Sequence, residues 1–225
     1  MTSRIVVVGT GTEIGKTHVS ACLLSYARGQ GRRGAAYKPV ATGVTGRCED
    51  AERHAAALGS PYVHPTFAYR KPVSPHLAAR EEGPPIELAA IRRRADELGR
   101  DAGFVLVESA GGLFSPLGDA LTNVQLVECL LPARVVLVAP DRLGVLHDVG
   151  ACLRAARAAG VVVSALVLSA PAVADDSTGS NAQELARIGL GPVAGVFPHA
   201  SVDAEASQQV AARVWEALES TARSR

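Results

Sequence analysis

The sequence predicts one α/β domain, residues 1–225, in which a mostly parallel, doubly wound sheet lies between two layers of helices. Three observations support this prediction. Short apolar runs of strand length alternate along the chain with longer segments of helical periodicity. Hydrophobic residues make up 48% of the chain and aromatic residues only 4%, which is typical of buried parallel strands and the helices packed on them. A length of 225 residues suits a single domain.

A glycine loop joins the first predicted strand, residues 5–8, to a helical segment that begins at residue 18. The loop reads Gly9-Thr-Gly-Thr-Glu-Ile-Gly15-Lys16-Thr17. Strand, loop and helix in this order are typical of a phosphate-binding loop, whose lysine reaches the terminal phosphates and whose threonine can hold Mg²⁺. Five residues rather than four separate Gly9 from Gly15, so the loop is a variant. The sequence therefore predicts a nucleoside triphosphate site in a P-loop NTPase-like fold.

Lys38 follows the second predicted strand, residues 35–37, and precedes Pro39. Proline favours an extended conformation at the residue before it, so the lysine should leave the carboxyl end of the strand. Ligands of open α/β sheets bind at that end. We therefore expect Lys38 to face Lys16 across the site, although a lysine that only reaches solvent from a strand end is the alternative.

Two acidic residues are candidates for metal binding. Asp50 lies at the start of a predicted helix that ends at residue 58, and it is either an acid favoured by the helix dipole or a metal ligand brought in by the preceding loop. Glu108 comes directly after the predicted buried strand 104–107 and opens into glycines. P-loop enzymes keep the acid that reaches Mg²⁺ at this position, whereas a glutamate paired only with solvent is the alternative.

The segment 59–85 contains six prolines and no clear periodicity. So long a connection in a compact domain is more often a functional lid or binding loop than a linker, and Ser74-Pro75-His76 is its most polar part. The remaining pattern alternates helices with strands. Helices are predicted at 86–98, 121–130, 145–159, 181–188 and 204–218, and strands at 135–139, 161–168 and 193–197.

Charge and cysteine content argue against several classes of function. The formal net charge is +1, so no general field attracts nucleic acid or a membrane, and neither partner is expected. The four cysteines form no Cys-x-x-Cys pair and are expected to be reduced. The sequence starts without a charged-then-apolar leader and has no apolar run of membrane-helix length, so we expect a cytoplasmic protein.

Taken together, these motifs resemble the dethiobiotin synthetase family over nearly the whole chain. Beyond the glycine loop, the resemblance rests on Tyr37-Lys38-Pro39-Val40-Ala41-Thr42, Ser74-Pro75-His76 and Val107-Glu108-Ser109-Ala110-Gly111-Gly112. It implies a homodimeric, ATP-dependent ligase of biotin biosynthesis that uses Mg²⁺. The implied reaction closes the ureido ring of dethiobiotin from 7,8-diaminopelargonate and CO₂, with ADP and phosphate as the other products.

The resemblance also implies roles for single residues. Lys38 and Lys16 would be catalytic, and Thr17, Asp50 and Glu108 would hold Mg²⁺. The substrate would contact Thr12, Lys38, Thr42 and Ser74, and the loop Gly144–His147 would bind its carboxylate from the second subunit. The nucleotide would contact Thr12, Glu13, Ile14, Gly15, Lys16, Thr17, His18, Asp50, Glu108, Ser109, Ala110, Gly111, Ser169, Ala170, Pro198, His199, Ala200 and Glu205.

Several positions depart from the family pattern. Gly11 stands where the loop usually carries aspartate, Ser109 where glycine is usual, and His147 where asparagine is often found. Ser169-Ala170 replaces an Asn-Asp pair whose asparagine reads adenine in many members. Because a serine hydroxyl makes a weaker and less directional contact than an amide, we expect relaxed base selectivity, with other nucleoside triphosphates competing with ATP.

Two other functions remain open at the level of sequence. A switch ATPase of the partitioning or septum-placement type shares the variant loop and works through nucleotide-dependent dimerisation. Such proteins carry an additional lysine early in the loop, where this chain has Thr10 and Gly11. A synthetase that amidates a carboxylated corrinoid is the second alternative, and the Lys38-Pro39 and Ser74-Pro75-His76 motifs favour the diamine reaction over it.

Overall fold

The computed structural model describes residues 2–223 and, in the last helix, the side chains as far as residue 220. Its strands are β1 (Ser3–Gly9), β2 (Gly34–Tyr37), β3 (Val40–Ala41), β4 (Phe67–Ala68), β5 (Phe104–Glu108), β6 (Pro116–Gly118), β7 (Leu121–Thr122), β8 (Ala133–Pro140), β9 (Val163–Ser169) and β10 (Val193–Phe197). Six of them form one sheet in the order β10-β9-β8-β1-β5-β2, and every pairing in it is parallel. The predicted parallel α/β sheet is confirmed.

Helices follow or connect these strands. They are α1 (Lys16–Gly29), α2 (Glu49–Leu58), α3 (Pro75–Glu82), α4 (Leu88–Gly99), α5 (Asn123–Cys129), α6 (Val145–Ala158), α7 (Asn181–Arg187) and α8 (Glu205–Arg223). Every helix predicted from periodicity is present, with ends shifted by a few residues. The largest of these shifts is at the C-terminal end of α8, which extends beyond the predicted residue 218.

The two faces of the sheet pack against different helices because successive strand residues point in opposite directions. Ile5 and Val7 lie in a cluster with side chains of α1, α2 and α8, including Leu23. Val6 and Val8 lie in a cluster with side chains of α4, α5 and α6, including Leu126. All four strand residues are fully buried. Burial on both faces explains why the strand is a continuous apolar run and not an alternating pattern.

The segment 59–85 differs from its prediction as a connection without regular structure. It contains β4, which pairs with β3 in a separate two-stranded sheet, and the helix α3, which has Pro75 in its first turn. Proline is favoured there because the first helical N–H needs no partner within the helix. Phe67 and Tyr69 are buried, and the Tyr69 hydroxyl donates to Pro84 O at 2.6 Å. The segment is thus a folded part of the domain.

A smaller difference occurs before α5. Residues 121–122, predicted as the first turn of that helix, instead pair with β6 as the antiparallel strand β7. Thr122 then caps the helix, accepting a hydrogen bond from Val124 N at 3.2 Å, and Gln125 completes the capping box. Separately, all four cysteines are free thiols, and none of the helices at residues 2–223 is long and apolar enough to cross a membrane.

Candidate active site

The glycine loop connects the end of β1 to the start of α1 in the middle of the sheet. Gly15 precedes the helix with φ 91°, and Glu13 has φ 56°, so the loop turns through two left-handed conformations. A Cβ on Gly15 would lie 2.1 Å from Ser169 Oγ and 2.6 Å from Ser169 Cβ, so the loop or Ser169 would have to shift to accept a side chain there. Lys16 Nζ donates to Gly11 O at 2.9 Å, so the lysine reaches back over the loop. This arrangement gathers backbone N–H groups at a helix N-terminus, as phosphate binding requires.

Sheet order brings the predicted charged residues together. β5 lies between β1 and β2, so the carboxyl ends of these three strands are neighbours. Lys38 Nζ lies 2.6 Å from Glu108 Oε1 and 2.9 Å from Asp50 Oδ2. Thr17 Oγ1 lies 2.9 Å from Asp50 Oδ1 and 3.0 Å from Glu108 Oε1. Two carboxylates, one hydroxyl and one ammonium therefore form a single connected cluster.

Burial and charge shift the pKa values of this cluster. Burial lowers the pKa of Lys38, but the carboxylates of Glu108 and Asp50 raise it more, so it lies above the ordinary lysine value. Burial favours a raised pKa for Glu108, yet Lys38 and then His54 hold it well below its usual range. Burial, followed by the charge of Lys38, lowers the pKa of Lys16 to about 8. The raised pKa favours the charged form of Lys38 while it contacts the two carboxylates.

Two residues at the site were missed by the sequence analysis. His54 Nε2 lies 2.9 Å from Glu108 Oε2, and its spacing of four residues from Asp50 on one helix could have indicated it. Asn123 Nδ2 donates to Ala110 O at 2.7 Å and to Gly112 O at 2.8 Å, which fixes the loop after Glu108. No sequence signal links Asn123 to that loop, because its contact depends on the packing of α5.

A cavity of about 610 Å³ lies over the cluster. The predicted site residues that line it are Thr12, Glu13, Ile14, Gly15, Lys16, Thr17, His18, Lys38, Thr42, Asp50, Glu108, Ala110 and Gly111. A second cavity, of about 420 Å³, shares Thr17 and His18 with the first and adds Ala200. His18 Nε2 lies 2.9 Å from Pro198 O, so the loop after β10 borders this second space. Two adjoining cavities thus share the first turn of α1.

Other predicted residues line neither of these two cavities. Ser74 is exposed at the start of α3, and its hydroxyl lies 2.9 Å from His76 Nδ1. His199 and Glu205 are also exposed. Ser109 is buried with its hydroxyl 3.4 Å from Gly111 O, and its backbone avoids the left-handed region. The extra Cβ of Ser109 therefore does not strain the loop.

The two residues expected to contact the base end β9 and begin the next loop. Ser169 is buried, with its hydroxyl against Gly15, and Ala170 N donates to Phe197 O at 2.8 Å. Neither residue lines the two cavities. The loop Gly144–His147 forms the start of α6, where Gly144 and His147 are exposed and Val145 is buried. It likewise lines neither cavity.

The fold and the glycine loop define a P-loop nucleotide-binding protein. A family model described as an AAA domain matches residues 3–206. The ATP-dependent dethiobiotin synthetase BioD of Caulobacter vibrioides is 40% identical over 172 residues, covering 72% of this chain and 78% of the relative. That of Rhodopirellula baltica is 37% identical over 207 residues, covering 83% and 80%. The chain belongs to the ATP-dependent dethiobiotin synthetase family.

Solved structures with the same fold are more distant. Chloroplast FtsY from Physcomitrella patens superposes with a TM-score of 0.53 at 18% identity, covering 96% of this chain and 65% of that chain. The signal recognition particle receptor FtsY from Elizabethkingia anophelis gives 0.54 at 16% identity, covering 95% and 66%. The chain therefore spans just under two thirds of these neighbours. At such identity the likeness extends to the fold alone.

The backbone of Gly15 gives a first prediction. Gly15→Ala should weaken ADP binding by more than about tenfold, equivalent to ~1.4 kcal/mol, because the new methyl group meets Ser169 and forces the loop to move. Gly31→Ala is the matched control, since Gly31 also has a positive φ, 66°, but no atom lies within 4 Å of the position that its Cβ would take. Isothermal titration calorimetry of both variants with ADP makes the comparison. Equal affinities in the two variants would contradict the assigned role of the loop.

Proposed function

We propose that the protein closes the ureido ring of dethiobiotin in biotin biosynthesis, using ATP, CO₂ and 7,8-diaminopelargonate. The observation that carries this proposal is the pair of buried lysines, Lys16 and Lys38, at a phosphate loop in a chain of the synthetase family. The curated relatives are named as synthetases, which favours this reaction over a nucleotide switch. We infer a cytoplasmic enzyme from the same family, and we treat residues 1–225 as one domain.

The reaction that we infer joins two anions. One amine of the substrate takes up CO₂ and loses a proton to become a carbamate, whose oxygen attacks the γ-phosphate of ATP and expels ADP. The resulting mixed carbamic–phosphoric anhydride is attacked by the second amine, which closes the ring and expels phosphate. Carbamate and γ-phosphate repel each other, so catalysis needs positive charge between them and accurate alignment. Lys16 and Lys38 are compact charges suited to both tasks.

The donor set of the charged cluster suits Mg²⁺. Asp50 and Glu108 each place a carboxylate oxygen within about 3 Å of Thr17 Oγ1, and hard oxygen ligands are those that Mg²⁺ prefers. Residues 2–220 contain no group of three or more His, Cys, Asp or Glu side chains arranged for a metal, so phosphate oxygens and water would complete the coordination. When bound, Mg²⁺ would neutralise charge on the transferring phosphoryl group. The three residues would hold it, and Lys38 would then turn to the substrate.

The remaining residues take the roles implied by the family. Residues 12–18 and 108–111 would surround the phosphates, and residues 198–200, with Glu205, would border the nucleoside. Thr12, Thr42 and Ser74 would contact the diamine. Thr12 and Thr42 line the large cavity, whereas Ser74 would have to approach it from the exposed start of α3.

We infer a homodimer in which Gly144–His147 binds the substrate carboxylate of the other subunit. Leu143, directly before that loop, is 80% exposed, and Phe114, beside a separate cavity of about 500 Å³, is 41% exposed. Contiguous apolar patches, rather than single apolar side chains, are typical of surfaces that bind another protein. Because Phe114 lines the same cavity as Gly9 and Thr10, an interface that covered Phe114 would lie next to the glycine loop.

The function is tested by measuring phosphate release with ATP, Mg²⁺ and bicarbonate, with and without 7,8-diaminopelargonate. We expect release to depend on the diamine, and we expect mass spectrometry to find a product that carries one added carbonyl. Slow release that ignores the diamine would contradict the proposal and favour the nucleotide switch.

Lys38→Gln should keep nucleotide affinity but lower kcat by about 100-fold or more, as expected when one preorganised charge at the reacting oxygens is lost. Steady-state kinetics and ADP titration give the two values separately. Lys71→Gln is the control, because Lys71 pairs with Glu81 on the surface, and its kcat should not change. A Lys38→Gln variant that cyclises the substrate at the wild-type rate would contradict the role of Lys38.

Base selectivity gives a further prediction. Ser169 stands where members of the family often carry an asparagine whose amide reads the base, and its shorter side chain is buried against Gly15 and lines neither cavity. CTP and GTP should therefore compete with ATP in the phosphate-release assay at saturating Mg²⁺. Failure of both nucleotides to inhibit would show that other residues select adenine.

A further inference from the structure

His54 is the buried partner of the carboxylate that we assign to the metal. It lies on α2, is 1% exposed, and its Nε2 is 2.9 Å from Glu108 Oε2. We propose that His54 is a positioning residue, which fixes the Glu108 carboxylate so that Oε1 faces Thr17 and the metal position. This inference rests on the proposed function, because it concerns the metal site of the same reaction.

The contacts of Glu108 are divided between its two oxygens. Oε1 accepts hydrogen bonds from Lys38 Nζ at 2.6 Å and from Thr17 Oγ1 at 3.0 Å, whereas Oε2 accepts one from His54 Nε2. Lys38 and Thr17 also have tasks with the substrate and the metal, so their bonds to Glu108 change during a catalytic cycle. His54 is buried and lines neither cavity, so its bond to Glu108 lies outside the space that the ligands would occupy. It can therefore persist and keep the carboxylate from rotating.

Helix α2 carries both Asp50, a candidate metal ligand, and His54, which contacts the other candidate carboxylate, Glu108. Asp50 and His54 are four residues apart on α2, so their side chains lie on the same face, one turn apart. Asp50 contacts Thr17 and Lys38, while His54 contacts Glu108 from the next turn. The position of α2 thus sets the relative placement of the two candidate metal carboxylates.

The second ring nitrogen of His54 makes no contact within the described part of the chain that would explain a histidine at this position, which leaves the contact with Glu108 as the reason for it. His54 Nδ1 is buried and has no hydrogen-bond partner among residues 2–220. Because an ionised carboxylate can only accept hydrogen bonds, His54 donates to Glu108 from Nε2, and Nδ1 takes no part in that contact. An apolar side chain would fill the same space without an unpaired nitrogen, so packing alone does not favour histidine here.

Three variants of His54 distinguish the effect of its hydrogen bond to Glu108 from the effect of the space that its side chain fills. His54→Leu fills the space without a donor. His54→Gln carries an amide nitrogen near the Nε2 position, and His54→Asn carries one near Nδ1, where it cannot reach Glu108. Mn²⁺ is the probe, and its binding in the presence of ADP is measured by electron paramagnetic resonance, without the diamine or turnover. His64→Leu is the matched control, since His64 is exposed and lines neither of the two cavities at the site.

We expect His54→Leu and His54→Asn to weaken Mn²⁺ binding about 10- to 100-fold, as loss of a hydrogen bond to a metal ligand typically does. His54→Gln should restore binding to within about threefold of wild type, since it returns the donor. In steady-state assays, His54→Leu should raise the Mg²⁺ concentration for half-maximal rate while kcat at saturating Mg²⁺ changes little. His64→Leu should match the wild type in every measurement.

Two results would overturn the proposal. Wild-type Mn²⁺ affinity in His54→Leu would make the histidine a packing residue, and equal weakening in His54→Gln and His54→Asn would show that the donor is irrelevant. If His54→Leu does not fold, the Mn²⁺ affinities of His54→Gln and His54→Asn still show whether a donor at the Nε2 position is needed. Wild-type protein that binds no Mn²⁺ with ADP would contradict the proposed function itself, whereas normal wild-type binding with unaffected variants would contradict only the role of His54.

Discussion

The buried carboxylate of Glu108 is the constraint on which the site depends. A fully buried charge is tolerated only with close partners, since desolvation costs several kcal/mol per ion. Glu108 has three: Lys38 at the end of β2, Thr17 on α1 and His54 on α2. Each partner belongs to a different element, so satisfying one carboxylate fixes the positions of three segments. The same contacts fix the phosphate loop, because Thr17 lies in the first turn after it.

The sheet makes this convergence possible. β1, β5 and β2 are adjacent and parallel, so the glycine loop, Glu108 and Lys38 all emerge at one edge. Apolar contacts on both faces keep the strands in register, and Asn123 holds the chain after Glu108 by two carbonyl contacts. The hydrophobic core therefore contributes to chemistry indirectly, since it holds the strand ends in place.

Much of this arrangement was predictable from the sequence. Apolar runs identified the strands of the main sheet, and the position of Lys38 and Glu108 at strand ends indicated that they would meet at the loop. The structure of 59–85 was not predictable, because β4 exists only through its pairing with β3, and local periodicity contains no such information. His54 was missed for a similar reason: a histidine on a helix face acquires its role only from the carboxylate that packs against it. Ser74 was expected at the pocket from resemblance alone, and it lies exposed at the start of α3.

We propose that Lys38, which pairs with the carboxylates of Asp50 and Glu108 in the free protein, acts on the phosphate and carbamate once they are bound. The distance from Lys38 Nζ to Glu108 Oε1, now 2.6 Å, measures this directly. A crystal structure with a non-hydrolysable ATP analogue, Mg²⁺ and the diamine should show this distance increased beyond about 4 Å, the usual limit of an ion pair. Lys38 Nζ should then contact the γ-phosphate. A structure in which Lys38 still contacts both Asp50 and Glu108 with all ligands bound would contradict the account.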